Sequence, residues 1–323
     1  MDPTPAPLPS PAWSIVIVCM DQIERLETCL RSFQQHESAT SLEIWVVAYR
    51  FSPDHLAWLR QNFPAVNVIE NNGFSGFAEN NNLALRKARG RYCLLFNDDA
   101  YLVMPILDSL EKVFLDHPRA AIAMPQLRNP DGSIQFSGAG PYTLARQLYR
   151  DFAGVWQSFG EPRSKWVQPS GVFQTASVLG GALAVRTDVA KELGYLDEQY
   201  FFSPEDTAFC VLAARHGYEC YVNADIHAFH KKSSTLRANF IPCMAAIQRG
   251  QILFFSQQPR AWTFGIQLAF WFRNWLKLLA WCFRRGDNAR EHRHIWRAMV
   301  GCTFSRKSPK ELFTQFSQQR AKG

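Results

Sequence analysis

The sequence has no CxxC pair, although it holds eight cysteines, at positions 19, 29, 93, 210, 220, 243, 282 and 302. Thiols scattered in this way exclude a zinc cage and a dithiol redox motif. Free thiols in a reducing, cytosolic setting are the expectation. Residues 2–12 (DPTPAPLPSPA) lack a basic start and an apolar stretch, so they read as a disordered Pro-rich tail and not as a secretory leader. Cys19–Arg25 contains no Gly-rich loop with Lys or Arg, which argues against nucleotidyl transfer. No internal repeat is evident. No nucleic-acid recognition motif accompanies the basic charge, so no nucleic-acid partner is expected.

What is present is an ordinary globular composition. The 323 residues are 47% hydrophobic and 20% charged, enough to bury one large domain with an appendage. Aromatic residues make up 14%, with ten Trp. The net charge of +7 is unevenly placed. From Ile241 onward there are 14 Lys and Arg against 3 Asp and Glu, leaving the preceding 240 residues mildly acidic. A basic, aromatic tail on an acidic body suggests attraction to an anionic surface.

Short apolar runs alternate with helical spacing through the first 116 residues. Trp13–Cys19, Leu42–Ala48, Val66–Ile69 and Arg91–Phe96 read as strands; 21–34, 54–62, 77–89 and 105–116 read as helices. That alternation predicts βαβ units and a mostly parallel, buried sheet. Asp131-Gly132 marks a hairpin turn. Residues 141–176 read as an irregular surface excursion. Val178–Arg186 is a strand opened by two glycines, Thr187–Leu193 a helix capped by Thr187, Pro204–His216 a helix and Tyr218–Val222 a strand. Three regions follow: the tail at 1–12, an α/β domain at 13–240 and a helical extension at 241–323.

Within that extension, residues 262–283 are nearly long enough to span a bilayer. At about 100° per residue, Arg273, Lys277 and Arg284 share one narrow face, with Phe, Trp and Leu around the rest. This pattern suits a helix lying in a membrane interface, or one packed on the domain with its cations in water.

Four polar clusters carry candidate chemistry. Asn97-Asp98-Asp99 follows directly on a strand, where open sheets bind ligands, and adjacent acids suit a hard cation, Mg²⁺ or Mn²⁺. A solvated turn is the plain alternative. Asn71–Gly76 with Glu79–Asn82 can lay backbone N–H groups and amides against a nucleotide at a helix start. A loop that merely needs glycine reads the same. Ser203–Asp206 opens a helix, where acids also complement the dipole. His227 and His230 precede Lys231–Thr235, either a diphosphate or metal site or a solvated loop.

The order of these segments resembles the family 2 glycosyltransferases, which have the GT-A fold, and within them the rhamnosyltransferase-like enzymes of bacterial surface polysaccharide synthesis. The likeness is carried by IVIV (15–18), NNGFSGFAENNNLAL (71–85), ARGRYCLLFNDDA (88–100), DGSIQFSG (131–138), LGGALAVR (179–186), the stretch 194–218 and HKKSST (230–235). It covers about residues 13–240.

That resemblance implies an α/β fold of GT-A type, with a Rossmann-like sheet and a C-terminal helical extension. It implies an inverting transfer from a dTDP- or UDP-sugar to a glycan or lipid-linked glycan, with Mg²⁺ or Mn²⁺, on the cytoplasmic face of a membrane. Asp206 matches the catalytic base and Glu205 a residue that positions the acceptor. Asp99 and His230 match the metal site. Asn72, Gly73, Phe74, Asn81, Asn97 and Asp98 fall in the donor-binding segments. The sequence departs from the family where an Asp after the second strand reads the nucleotide base: Ala48-Tyr49 stands there, with Asp54 as a substitute. That departure also suits a degenerate, sugar-binding relative without turnover.

Overall fold

The computed structural model describes residues 11–38, 42–153, 168–231, 240–259 and 261–320. Lys232–Thr235, part of the excursion at 141–176 and residues 1–10 of the tail lie outside these.

The first four strands are β1 (Trp13–Cys19), β2 (Leu42–Tyr49), β3 (Asn67–Asn71) and β4 (Tyr92–Phe96). They pair in parallel in the order β3-β2-β1-β4. The crossovers are helices α1 (Ile23–His36), α2 (Pro53–Asn62) and α3 (Phe77–Leu85). Continuous apolar runs explain why β1 and β4 are buried on both faces. Helix α1 turns Leu26, Cys29, Leu30 and Phe33 inward, a stripe at the 3.6-residue period. Between α3 and β4, Gly90 lets the chain cross β1 closely, since a Cβ there would sit 2.5 Å from the Ser14 nitrogen.

Beyond β4 the sheet becomes mixed. Next come β5 (Ala100–Leu102), α4 (Leu107–Asp116), β6 (Ala120–Arg128), β7 (Gly138–Ala139), α5 (Leu144–Ala153), β8 (Val172–Thr175), β9 (Ser177–Val178), β10 (Ala182–Arg186), α6 (Thr187–Glu192), α7 (Glu205–Arg215) and β11 (Glu219–His230). Strand β10 runs antiparallel to both β4 and β6, while β11 runs parallel to β6. The carboxyl ends of β1–β4, the start of β10 and the end of β11 therefore share one edge of the sheet.

Several sequence readings shift. The excursion at 141–176 contains α5 and β8. The last strand runs on to His230, so both histidines lie on a strand. Thr187 does not cap α6: its hydroxyl donates to the Gly90 carbonyl at 2.6 Å. The Asp131-Gly132 turn forms as expected, with Asn129 N–H donating to the Ser133 carbonyl at 2.8 Å and Gly132 at φ +85°. All eight cysteines are free thiols.

Four helices complete the described chain: α8 (Phe240–Ser256), α9 (Thr263–Cys282), α10 (Asp287–Cys302) and α11 (Pro309–Arg320). Here the predicted polarity of residues 262–283 is reversed. Arg273 is only 4% exposed and donates to Asp151 at 2.6 Å and Gln248 at 2.8 Å. Lys277 Nζ lies 3.8 Å from the same Asp151, and burial lowers its pKa. The aromatic side is the one that faces outward: Trp262, Phe264, Phe272, Trp275, Leu279 and Phe283 are exposed. A buried carboxylate on α5 accounts for the reversal, because charges taken out of water must be paired. Among the described residues, no helix is long and apolar enough to cross a membrane.

Candidate active site

The shared sheet edge gathers residues from five segments. Gly180-Gly181, just before β10, forms its centre. The Gly180 N–H donates to Asp206 Oδ2 at 2.9 Å, and the Gly181 carbonyl accepts from the Asn97 N–H at 3.2 Å. A Cβ on Gly181 would lie 3.4 Å from the His230 ring, and one on Gly180 3.5 Å from Phe77 at the start of α3. One glycine pair thus touches the turn after β4, the end of β11, the first turn of α7 and the helix that follows the Asn/Gly loop. Asp206 touches that pair directly, whereas Asp99 is linked to it through His230.

Asp99 Oδ1 lies 3.2 Å from His230 Nε2, and both side chains are nearly buried. Sequence reasoning missed Gln135, which orients this pair. Its amide nitrogen donates to the His230 carbonyl at 2.6 Å and to Asn129 Oδ1 at 2.8 Å. Its Oε1 is therefore the acceptor facing His230 Nδ1 at 3.0 Å. Nε2 faces both Asn97 Nδ2, at 3.3 Å, and the Asp99 carboxylate. An imidazole nitrogen and a carboxylate oxygen side by side are groups that can share a divalent cation. Among the described residues, no three His, Cys, Asp or Glu side chains converge on one point. The pair therefore fits a hard divalent cation whose remaining ligands are phosphate oxygens and water. Buried Gln135, just past the hairpin turn of DGSIQFSG, was the sequence signal for this support.

Asp98 faces another way. It sits against the Cys19 thiol and near Arg25 at the end of β1; burial pushes its pKa up to about 6, which the Cys19 hydrogen bond opposes.

Glu205 and Asp206 open α7. Glu205 is buried and accepts from the Ser203 N–H at 2.5 Å. Burial, and then the adjacent Asp206 charge, push it up to about 8. Asp206 is half-buried; its Oδ1 accepts from the Thr207 N–H at 2.6 Å, and burial raises its pKa. The turn before them rests on α8, where Gly250 admits the Ser203 carbonyl to within 2.4 Å of where a Cβ would stand.

The Asn/Gly loop is held largely by itself. Asn71 Oδ1 accepts from the Gly73 N–H at 3.0 Å, and Glu79 Oε2 from the Gly76 N–H at 2.6 Å. Asn72 and Gly73 are exposed. Phe74 lies 5.0 Å from Phe201, between ring centres. Asn81 is buried, its amide donating to the Phe77 carbonyl at 2.9 Å, and Asn82 reaches Leu196 and Glu198. Tyr49, at the departure from the family pattern, accepts the Ser75 N–H on its hydroxyl at 3.3 Å and so supports the loop. Asp54 is exposed in the first turn of α2.

The model of the family "Glycosyltransferase like family 2" matches residues 11–247, a span that contains Asn72, Asn97, Asp98, Asp99, Gln135, Glu205, Asp206 and His230. The chain belongs to this glycosyltransferase family. No curated protein matches it in sequence. Solved structures share the fold. A complex of GalNAc-T7 with UDP, GalNAc and Mn²⁺ aligns with TM-score 0.58 and 13% identity, over 97% of this chain but 58% of the other. The mannosyltransferase PcManGT of Pyrobaculum calidifontis, with GDP-Man and Mn²⁺, aligns at 0.55 and 14%, over 99% of this chain and 90% of its own. S. aureus TarS residues 1–349 align at 0.52 and 13%, over 95% and 91%. The glycosyltransferase is thus of GT-A type: a mixed, largely parallel sheet flanked by helices.

Proposed function

We propose that this glycosyltransferase moves a hexosyl or rhamnosyl group, with inversion, from a dTDP- or UDP-sugar to a hydroxyl of a glycan or lipid-linked glycan in surface polysaccharide synthesis. The observation that supports the reading is the Gly180-Gly181 junction: the Gly180 N–H holds Asp206, and Gly181 lies against the ring of His230, the neighbour of Asp99.

Asp99 and His230 would hold Mg²⁺ or Mn²⁺; two of the neighbours are complexes that contain Mn²⁺. When bound, such a cation neutralises the charge that makes a diphosphate a poor leaving group. Asn72, Gly73 and the backbone of the Asn/Gly loop offer exposed donors to the nucleotide. Asp206 Oδ takes the proton of the acceptor hydroxyl as its oxygen bonds to the anomeric carbon. The bond from that carbon to the diphosphate oxygen breaks, and nucleoside diphosphate leaves. The N–H groups of Gly180 and Thr207 fix the Asp206 carboxylate, so it needs no reorganisation during transfer. Glu205, whose pKa burial raises, holds the Ser203 N–H beside the base and would position the acceptor. The retained carboxylates at 99 and 206 favour turnover over a binding-only relative.

A screen of nucleoside diphosphate release from UDP-, dTDP- and GDP-sugars, with Mn²⁺ and with EDTA, tests this. Metal-dependent release from at least one donor is expected. Absence of release from every donor, with acceptor lipids and glycans present, removes the reading.

The outward aromatic face of α9 supports a peripheral position on the inner face of the cell membrane. Trp275 and Phe283 lie on it, with exposed Arg284 and Arg285 at its end, the pattern of interfacial anchoring next to anionic headgroups. Replacing both Trp275 and Phe283 by Glu is expected to reduce co-sedimentation with anionic vesicles by about 10-fold. Unchanged sedimentation of that variant would leave the face without a membrane role.

A further inference from the structure

One part of the candidate site comes from outside the 11–247 span: the C-terminal helix α11. Its start is set by a reciprocal cap. Ser308 N–H donates to Glu311 Oε2 at 2.7 Å, and the Glu311 N–H to Ser308 Oγ at 3.2 Å. That places Lys310 and Phe313 three residues apart on one face. The neighbouring Leu312 is buried with Met299 and Ile295, which anchors the helix to the bundle.

The face carrying Lys310 and Phe313 lies on the Asn/Gly loop. Lys310 Nζ reaches both oxygens of Glu79, at 2.9 and 3.1 Å. Glu79 is the same carboxylate that accepts the Gly76 N–H. The Lys310 ammonium also sits 5.8 Å from the Phe74 ring centre. Phe313 lies 5.8 Å from Phe74 and 5.1 Å from Phe201. Three rings therefore join the loop, the segment leading to Glu205-Asp206, and a helix more than a hundred residues later.

We propose that Lys310 and Phe313 are positioning residues for the donor site, with α11 acting as a strap that holds the Asn71–Gly76 loop in its binding-ready shape. This rests on the reading of that loop as the nucleotide-binding segment. The loop's own bonds run from Gly73 to Asn71 and from Gly76 to Glu79, and Lys310 fixes the Glu79 carboxylate from outside, while Asn72 and Gly73 stay exposed at the tip. Without the strap the loop samples other shapes, and apparent donor affinity falls by the fraction of chains still competent. The chemical step, which belongs to Asp206, is unaffected.

The test uses the full chain with Lys310→Ala, Phe313→Ala and Lys310→Arg. Calorimetry with UDP, dTDP and GDP in Mn²⁺ gives affinity, steady-state kinetics give KM and kcat, and melting temperature reports folding. Both alanine variants are expected to weaken diphosphate binding and raise donor KM about 10-fold. Their kcat is expected to stay within about two-fold of the parent. Lys310→Arg keeps the charge pair and is expected to restore affinity. Lys310 is partly exposed, so its alanine variant tests the strap even where Phe313→Ala fails to fold. Unchanged affinity in Lys310→Ala, or a fall in kcat at constant KM, overturns the proposal. A parent protein that binds none of the three diphosphates would instead bring down the donor-loop reading itself, and the strap with it.

Discussion

Asp206→Asn is expected to lower kcat by about 10²–10⁴-fold while binding of nucleoside diphosphate with Mn²⁺ is retained. The substitution keeps shape but leaves one acceptor oxygen for the two N–H groups of Gly180 and Thr207, so one of these bonds is lost, and the retained diphosphate binding checks that the turn survives. What it removes is the site that accepts the hydroxyl proton. The pH profile gives an independent reading. Only the ionised carboxylate is a base, and burial raises the Asp206 pKa in the folded protein. Activity should therefore be lost as pH falls through that raised value, at a pH above the ordinary aspartate value of about 4. The acid limb of kcat/KM in the parent locates it, and the Asn variant should show no such limb. Near-normal turnover by Asp206→Asn would remove this residue as the base.

Asp99→Ala is expected to weaken donor binding in Mn²⁺ by about 10²-fold, down to the level seen in EDTA. Losing even an indirect support of a metal ligand costs about 10–100-fold, and a direct ligand belongs at the upper end. His230 keeps its contacts with Gln135 and Asn97 in this variant, so folding should survive. Calorimetry with and without Mn²⁺ checks both points. An affinity for UDP or dTDP that is unchanged and still responds to Mn²⁺ would show that the cation sits elsewhere.

These two outcomes and the strap test separate three layers of one site. Asp206 variants alter the chemical step, Asp99 variants alter metal-supported binding, and Lys310 variants alter binding through loop shape. A common collapse of all three with a lowered melting temperature would report unfolding instead.

Much of the fold was legible in the residues. Apolar runs such as IVIV and CLLF dictate buried parallel strands, and the 3.6-residue stripe of α1 dictates a covering helix. The acidic turn after β4 and the Glu-Asp start of α7 were also visible as local patterns, because ligand-binding groups at strand ends and helix starts leave short signatures. The reach of β11 to His230 was not read, although Asn223–Ala228 alternates polar and apolar residues, because the strand is irregular between Asn223 and His227 and its end is fixed only by pairing with β6 and β5.

The polarity of α9 shows the limit most clearly. A helical wheel places Arg273 and Lys277 on one face but cannot say whether that face meets water or protein. Asp151, over a hundred residues earlier, decides it. Only one arrangement pairs all three charges, and the aromatic face is then left outside. The same holds for the site. Local polar clusters marked the segments holding Asp99, His230, Glu205 and Asp206, and the resemblance to family 2 glycosyltransferases singled out these residues. Bringing His230 and Asp206 to one glycine pair, orienting His230 through Gln135 and laying α11 across the Asn/Gly loop required the tertiary structure. Local patterns arise from backbone periodicity and can be read from neighbours in sequence, whereas these contacts join segments that only the closed sheet and the helices packed on it bring within hydrogen-bonding distance.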